Sequence, residues 1–190
     1  MNKNQYKFTG NDESYTYKGL IEPLLALIED WATENNLKDP IIWCPFDLED
    51  DMEYNGFKLF RSNYVEVFRN AGYKVVCSHI ATGQDFMEYV PEKWDIIISN
   101  PPFKEKRKFL ERAYYWRKPF VLLNPLSAIN DGLWNSIFAE DDLQLIIPNK
   151  RAIFFNENGC IGKSPSFKSG YICYRFLVDR QIKFLEIKNE

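Results

Sequence analysis

The stretch that decides the fold is Trp94-Asp95-Ile96-Ile97-Ile98-Ser99-Asn100-Pro101-Pro102-Phe103. Its first half, Trp94–Ile98, is a short apolar run of the kind that forms a fully buried strand. Pro101 and Pro102 cannot donate ladder hydrogen bonds, so the strand has to end before them. The stretch therefore predicts a buried strand that brings an amide, a stiff proline loop and an aromatic ring to one edge of a sheet.

Similar apolar runs on both sides of this stretch predict the rest of the sheet. They alternate with segments of helical periodicity, which is typical of an α/β fold with a mostly parallel central sheet and helices on both faces. Ligands bind such sheets beyond the carboxyl ends of the strands, so 44–47, 77–79 and 99–103 are candidate site segments. The predicted strands are 41–44, 74–77, 94–98, 120–123, 143–147 and 171–177, and the predicted helices are 17–35, 58–71, 104–117 and 131–139.

Length and charge limit the organisation of the chain and its partners. The 190 residues suit one domain, so we expect a partly ordered N-terminal segment over 1–16 and a single domain over 17–190, with no separate target-recognition domain. The formal net charge of -3 argues against a generic cationic coat for nucleic acid. A local basic face remains compatible with it, because binding follows the placement of charge.

Cysteine spacing and hydropathy predict neither a metal site nor a membrane segment. The four cysteines show no CxxC spacing, and His79 is the only histidine in the sequence. No apolar run reaches the ~20 residues of a membrane-spanning helix, and no signal peptide is recognisable. These features predict a cytoplasmic protein.

The residues that follow the strand at Trp94–Ile98 suit the methylation of an exocyclic aromatic amine. The lone pair of adenine N6 is delocalised into the ring, which makes the amine a poor nucleophile. The Asn100 side-chain oxygen and the Pro101 carbonyl can accept both amine hydrogens and favour a pyramidal nitrogen. Phe103 would stack on a base extruded from its duplex, a contact worth ~1–3 kcal/mol. The alternative is a proline-terminated strand with no catalytic role.

Asn100-Pro101-Pro102-Phe103 resembles the catalytic N-P-P-F motif of the N6-adenine DNA methyltransferases, and the chain looks especially like their small phage- or prophage-encoded members. The resemblance covers about residues 13–177 and is loose away from the motif. It implies a Rossmann-like class I methyltransferase fold and S-adenosyl-L-methionine (SAM) as the cofactor. It also implies Asn100, Pro101, Pro102 and Phe103 as catalytic residues that act on a flipped adenine in DNA.

Two segments near the N-terminus are similar to parts of that family's cofactor site. Glu13-Ser14-Tyr15-Thr16 resembles an N-terminal cofactor-binding segment, which implies cofactor contacts for Tyr15 and Thr16. A helix N-cap at Ser14 or Thr16 explains the same residues equally well. Trp43-Cys44-Pro45-Phe46-Asp47 stands where the family has its first cofactor loop. That position implies that Pro45 and Asp47 bind the cofactor.

A third segment, Gly83-Gln84-Asp85-Phe86, resembles the family's G-x-D-F segment. The resemblance implies that Asp85 contacts the adenine amine of SAM and that Phe86 lines its ring. A plain turn before a short helix is the alternative explanation.

The sequence departs from the family in two places. The loop after Trp43-Cys44 contains no glycine, and the strand over 74–77 ends in Ser78-His79 where the family has an acidic residue for the ribose hydroxyls. His79 is open to two interpretations, a catalytic base or a hydrogen-bonded residue at a strand end. These departures motivate an alternative function, a catalytically impaired module of the same fold that binds SAM or nucleic acid.

Basic residues follow the motif and predict contacts to a nucleic acid. Between Lys104 and Lys118 the sequence has seven Lys or Arg and two Glu, a local balance of 7 − 2 = +5. Phosphate contacts from such residues supply affinity that does not depend on sequence, although a solvated helix face explains them equally well. The resemblance adds Phe167 as a wall of the base pocket. The candidate substrate-binding residues are Lys104, Lys106, Arg107, Lys150, Arg151 and Phe167.

DNA is the expected partner, with no membrane and no metal ion. Methylation of RNA or of a protein amide is the alternative for the acceptor, and a dimer remains open.

Overall fold

The computed structural model of the chain describes residues 14–129, 134–139, 142–155 and 167–187. The strands in chain order are β1 (Tyr15–Thr16), β2 (Ile41–Pro45), β3 (Met52–Tyr54), β4 (Phe57–Leu59), β5 (Lys74–Ser78), β6 (Ile96–Ser99), β7 (Phe120–Pro125), β8 (Gln144–Pro148), β9 (Phe154–Phe155), β10 (Ser169–Tyr174) and β11 (Ile182–Leu185). The α-helices are α1 (Lys18–Ile21), α2 (Leu24–Glu34), α3 (Asn63–Asn70), α4 (Lys106–Tyr115) and α5 (Trp134–Ile137).

A mixed, mostly parallel sheet of seven strands forms the centre of the molecule. Its strand order is β11-β8-β10-β7-β6-β2-β5, and β10 runs antiparallel to both of its neighbours while the other pairs are parallel. The chain passes outward from β2 to β5 and then returns to β6 on the other side of β2. The direction of winding therefore reverses between β2 and β6, which makes this point the topological switch point of the sheet.

Helices cover both faces of the sheet, because successive residues of a buried strand point to opposite sides. Ile42 and Cys44 of β2 belong to the core shared with α1, α2 and α3. Trp43 between them belongs to the opposite core, which contains Phe109 and Leu110 of α4. The predicted α/β class, with a mostly parallel sheet between two layers of helices, is confirmed.

The six predicted strands are all present, with ends shifted by at most three residues. The predicted helix over 58–71 is wrong at its start, because Phe57–Leu59 pairs with Met52–Tyr54 in a hairpin. The turn of this hairpin is Asn55-Gly56, whose φ values of 52° and 79° give the two left-handed residues that a type I′ turn requires. The helix α3 begins only at Asn63, after Ser62 caps it.

The other predicted helices are present in shortened form. The segment 17–35 is divided into α1 and α2, with Pro23 at the N-cap of α2, where its missing N–H costs least. The helix over 104–117 is observed as α4, with a turn of 3₁₀-helix over 103–105 before it. Of the helix predicted over 131–139, α5 is observed, and 131–133 lie outside the described residues. The edge strand β11 was not predicted.

Two observations concern the described ranges as a whole. Within them, no helix has the length and apolar character needed to cross a membrane. The same ranges contain no cluster of three or more His, Cys, Asp or Glu residues that could hold a metal ion.

Gly170 in β10 is a position where the sheet tolerates no side chain. A Cβ atom at this residue would lie 2.8 Å from Leu126 Cδ2 and 2.9 Å from the Ile146 carbonyl oxygen. We expect Gly170→Ala to lower the free energy of unfolding by about 1–3 kcal/mol, because overpacking forces the neighbours to move. Equilibrium urea unfolding measures the change.

The adjacent Ser169→Ala is the matched control for this substitution. The Ser169 hydroxyl is buried and has no hydrogen-bond partner among the residues that the structure describes. Its removal should leave the stability unchanged or raise it. An unfolding midpoint for Gly170→Ala equal to that of the wild type would contradict the packing described here.

Candidate active site

A cavity opens where β2, β5 and β6 end, at the switch point of the sheet. The space between its walls is about 940 Å³, a figure that includes open solvent at the mouth. Three strand-end loops, the N-terminal segment, the start of α3 and one residue of α4 form its walls. The lining residues are Ser14, Tyr15, Thr16, Phe46, Asp47, Leu48, Phe60, Ser62, Asn63, Tyr64, His79, Ile80, Gln84, Asp85, Phe86, Asn100, Pro101, Pro102, Phe103 and Phe109.

The Asn100 amide is held in one orientation at the wall of this cavity. Its Nδ2 donates to the Ser14 carbonyl oxygen at 3.0 Å. Because a carbonyl can only accept, the NH₂ group has to face Ser14, and this fixes where Oδ1 lies. Oδ1 is buried and has no hydrogen-bond donor within the described part of the chain. A buried acceptor left without a donor costs about 1–3 kcal/mol, so this oxygen is an unfavourable feature of the cavity wall that calls for an explanation.

The N-terminal segment 14–16 is bound to the rest of the site through its backbone and one hydroxyl. Tyr15 and Thr16 pair with β9, the Tyr15 hydroxyl accepts from the Phe60 N–H at 3.0 Å, and the Thr16 carbonyl accepts from Asn63 Nδ2 at 2.7 Å. The alternative that Ser14 or Thr16 caps the first helix is wrong. Tyr17 occupies the N-cap of α1, and its side chain makes no capping hydrogen bond.

Both oxygens of the Asp47 carboxylate are hydrogen-bonded at the cavity wall. One oxygen accepts from the Ser62 hydroxyl and the other from the Ser99 hydroxyl, and the Asp47 N–H donates to the Ser78 carbonyl at 3.1 Å. Ser62 also caps α3, since its Oγ accepts from the Tyr64 N–H at 3.1 Å. A single side chain that is 7% exposed thus connects the ends of β2 and β6 with the start of α3.

Pro45 contributes to this network without lining the cavity. It is buried at the end of β2, and its carbonyl oxygen lies within hydrogen-bonding distance of the Ser99 hydroxyl. The cofactor contact implied for Pro45 stays a prediction, and the residue is not among those that line the cavity.

Asp85 and Phe86 line the cavity from the segment after β5. Asp85 Oδ1 accepts from the Met87 N–H at 2.9 Å, which closes a local turn. The Phe86 ring is buried against Trp43 and Phe46, with ring centroids 5.3 Å and 4.8 Å apart. Arg112 of α4 donates from Nε to the Phe86 carbonyl at 2.5 Å and so fixes this segment against the helix.

Ser78 and His79, which stand where the family has an acidic residue, both take part in structural hydrogen bonds. The Ser78 hydroxyl accepts from Trp43 Nε1 at 2.9 Å. His79 is buried, and its Nδ1 accepts from the Ala81 N–H at 3.0 Å, which caps a turn of 3₁₀-helix. Because that bond uses the Nδ1 lone pair, the geometry favours the interpretation of His79 as a hydrogen-bonded strand-end residue.

Phe103 stands at the cavity with two aromatic side chains behind it. Its ring lies 6.1 Å from that of Phe154 and 5.4 Å from that of Phe167, both at 80° between the ring planes. Edge-to-face contacts of this kind fix the orientation of a ring. Phe167 itself does not line the cavity, so its contribution is to support Phe103.

The five basic side chains predicted to bind substrate also lie outside the cavity lining. Lys104 follows Phe103 directly in sequence and is exposed, and Lys106 is the first residue of α4. Arg107 donates to Glu111 at 2.8 Å and to the Ser136 hydroxyl at 3.2 Å. Lys150 and Arg151 are exposed after β8.

Sequence reasoning missed several residues that the fold brings to the cavity. Ser62 stands immediately before the apolar-periodic run of α3, which is the usual signal of an N-cap and could have revealed the helix start. Nothing local to Tyr64 or Phe109 indicates a site, because both are spaced as ordinary core residues of their helices. Burial raises the pKa of the Tyr64 phenol well above its ordinary value, and the neighbouring Tyr171 raises it further, so Tyr64 stays neutral at physiological pH.

Comparisons with known proteins give similarity to solved structures alone, and that similarity is weak in the alignment described here. No protein-family model and no curated protein matches the chain. Among solved structures, the type I restriction-modification system methyltransferase subunit from Streptococcus thermophilus aligns with a TM-score of 0.48 at 12% sequence identity. The alignment covers 94% of this chain and 48% of that one, so the chain spans about half of its length. At this TM-score the alignment bears on neither fold nor function.

Ser62 offers a test of the carboxylate network. We expect Ser62→Ala to lower the free energy of unfolding by about 2 kcal/mol, because it removes the cap of α3 and leaves one buried Asp47 oxygen without its donor. Urea unfolding followed by circular dichroism measures this loss. Ser62→Thr, which retains the hydroxyl, is the control and should recover most of the stability. Equal stability of Ser62→Ala and the wild type would show that the network does not hold the site.

Proposed function

We propose that the protein is a SAM-dependent methyltransferase that acts on the N6 amine of adenine in DNA, with the base flipped into the cavity beside Asn100-Pro101-Pro102-Phe103. The observation that carries this proposal is Asn100 at the cavity wall, whose amide oxygen is an acceptor with no donor among the described residues. The N6 amine of a flipped adenine would supply a donor to this oxygen.

The architecture supports a Rossmann-like class I assignment. The cavity lies beyond the carboxyl ends of parallel strands and at the point where the winding reverses, as expected for ligand sites of open α/β sheets. We propose that residues 17–190 form one methyltransferase domain. The segment 14–16 contributes part of the cavity wall.

The residues of the cavity fit SAM. The cofactor has a cationic amino group, ribose hydroxyls and an adenine ring, and the cavity offers two carboxylates, Asp47 and Asp85, together with the buried ring of Phe86. Tyr15 and Thr16 close the same cavity from the N-terminal side. When bound, SAM would supply a methyl group already activated by its sulfonium. The chain then has to bind and orient the two reactants.

On the acceptor side, the chain orients the amine. The Asn100 oxygen and the Pro101 carbonyl would accept the two N6 hydrogens, which concentrates the nitrogen lone pair out of the ring plane. The Ser14 carbonyl contributes by occupying the NH₂ group of Asn100, so that the oxygen of the amide is the atom left for the substrate. Phe103, held by Phe154 and Phe167, would stack on the base.

Binding of the surrounding DNA would fall to basic residues outside the cavity. Lys104, Lys106 and Arg107 directly follow the loop that would receive the flipped base, and Lys150 and Arg151 follow β8. Their contacts would go to phosphates, so affinity should fall steeply with salt concentration and depend little on sequence.

Substitution of the acceptor-binding residues tests the proposed chemistry. We expect Asn100→Ala to lower methyl transfer to DNA by about 10²–10³-fold, the usual effect of deleting one preorganised hydrogen-bonding group. Phe103→Ala should lower it by roughly 5- to 150-fold, the loss that corresponds to a stacking contact of ~1–3 kcal/mol. The measurement is mass spectrometry of N6-methyladenine in DNA from cells expressing each variant, with thermal melting to verify folding.

Asn70→Ala provides the matched control, because Asn70 is an exposed asparagine at the end of α3. It should methylate DNA like the wild type. Undiminished methylation by Asn100→Ala would overturn the proposal. Methylation found only in RNA or in protein amides would leave the proposed cofactor site intact and change the acceptor. SAM binding without methyl transfer to any acceptor would identify a catalytically impaired binding module.

A further inference from the structure

The backbone turns sharply at Phe46, directly after β2 and at the cavity. Its φ of +70° lies in the left-handed region, which glycine enters freely and other residues enter only at a cost in free energy. Phe46 occupies the loop where the sequence has no glycine. A bulky residue in this conformation persists only when its surroundings hold it, and such strain is concentrated at ligand sites.

The Phe46 ring explains how the strained turn is held. Its centroid lies 4.8 Å from that of Phe86 and 4.7 Å from that of Phe109, both at tilted or perpendicular angles. The ring also lines the cavity, beside the same two side chains. Phe46 therefore contributes through both of its parts: the backbone makes the turn, and the ring secures it and forms part of the cavity wall.

The turn determines where the next residue goes. A strand that continued past Pro45 would carry Asp47 further along the sheet direction. Instead, the Asp47 N–H donates back to the Ser78 carbonyl of β5, and its carboxylate reaches the hydroxyls of Ser62 and Ser99. The left-handed residue thus comes immediately before the carboxylate proposed to bind the cofactor.

We propose that Phe46 is a positioning residue of the cofactor site, which makes the turn that glycine would otherwise make and adds an aromatic wall that glycine cannot provide. The identity of the ligand rests on the proposed function, whereas the role of the turn does not. Phe46 is expected to act on SAM binding and to leave the transfer step itself unchanged.

Two small substitutions separate the backbone role from the ring. Phe46→Gly and Phe46→Ala both remove the ring, and in the folded state they differ in the cost of a left-handed φ. At ordinary positions alanine is the more stabilising of the two. At position 46 we expect the opposite order. Without ligand, Phe46→Gly should melt about 2–4 °C above Phe46→Ala, which is the change in melting temperature that a small difference in the free energy of unfolding produces in a chain of this size.

Steady-state kinetics separate a positioning role from a merely structural one. Phe46→Gly should raise the KM for SAM about tenfold, the fold-change that corresponds to about 1.4 kcal/mol of lost interaction. Its kcat at saturating SAM and its KM for DNA should stay close to the wild-type values. Phe46→Leu, which retains apolar bulk and a β-carbon, keeps the measurement possible if the two smaller variants fold poorly, and it should also raise the KM for SAM.

Asn36 is the matched control, because it is an exposed left-handed residue with a φ of 54° that lies after α2, outside the cavity lining. Asn36→Gly should likewise melt above Asn36→Ala, with no change in the KM for SAM in either variant.

Two results would overturn the proposal. If the melting temperature of Phe46→Ala equals or exceeds that of Phe46→Gly, residue 46 does not need the left-handed conformation, and the proposed backbone role is wrong. If Phe46→Leu and Phe46→Gly both retain the wild-type KM for SAM, the residue does not position the cofactor. A wild-type protein that fails to bind SAM in calorimetry would instead refute the proposed function, and with it the cofactor role of Phe46, while the melting order would still decide the role of the turn.

Discussion

The buried carboxylate of Asp47 is the interaction on which the rest of the site depends. Burying a charge is costly unless hydrogen bonds compensate it, and here two serine hydroxyls do so from different elements. Ser99 comes from the end of β6 and Ser62 from the cap of α3, so the ends of β2 and β6 and the start of a helix are fixed relative to one another. The hydrogen bonds of Asp47 therefore help to position the cavity walls, in addition to apolar packing.

The N-terminal segment completes the cavity from far away in sequence. The Ser14 carbonyl and the Asn100 amide are 86 residues apart, yet their hydrogen bond determines which atom of the amide remains for a ligand. The same segment is secured by β9 and by Asn63. A site that is assembled in this way requires the complete fold, because no single loop contains both the acceptor and the group that orients it.

The left-handed backbone at Phe46 and the Asn100 oxygen, which has no donor among the described residues, both indicate a functional site. Both are unfavourable for the isolated chain, and both lie at the edge of the sheet where the winding reverses. Stable proteins accept such costs where function requires them, with compensation from nearby packing. The aromatic contacts of Phe46 and the hydrogen bond of Asn100 Nδ2 are the compensating interactions here.

The sequence by itself determined the α/β class, the six main strands and the strand end at Asn100, because continuous apolar runs and paired prolines are local signals that tertiary context rarely overrides. The predicted start of α3 was wrong, because Phe57–Leu59 pairs in a hairpin. The strand β11 was not predicted, because exposed apolar residues on an edge strand give no buried-strand pattern. Nine of the ten residues predicted as catalytic or cofactor-binding line one cavity, and Pro45 does not. Only the tertiary structure decided the orientation of the Asn100 amide, the partners of Asp47 and the left-handed turn at Phe46, since each depends on contacts between residues far apart in the chain.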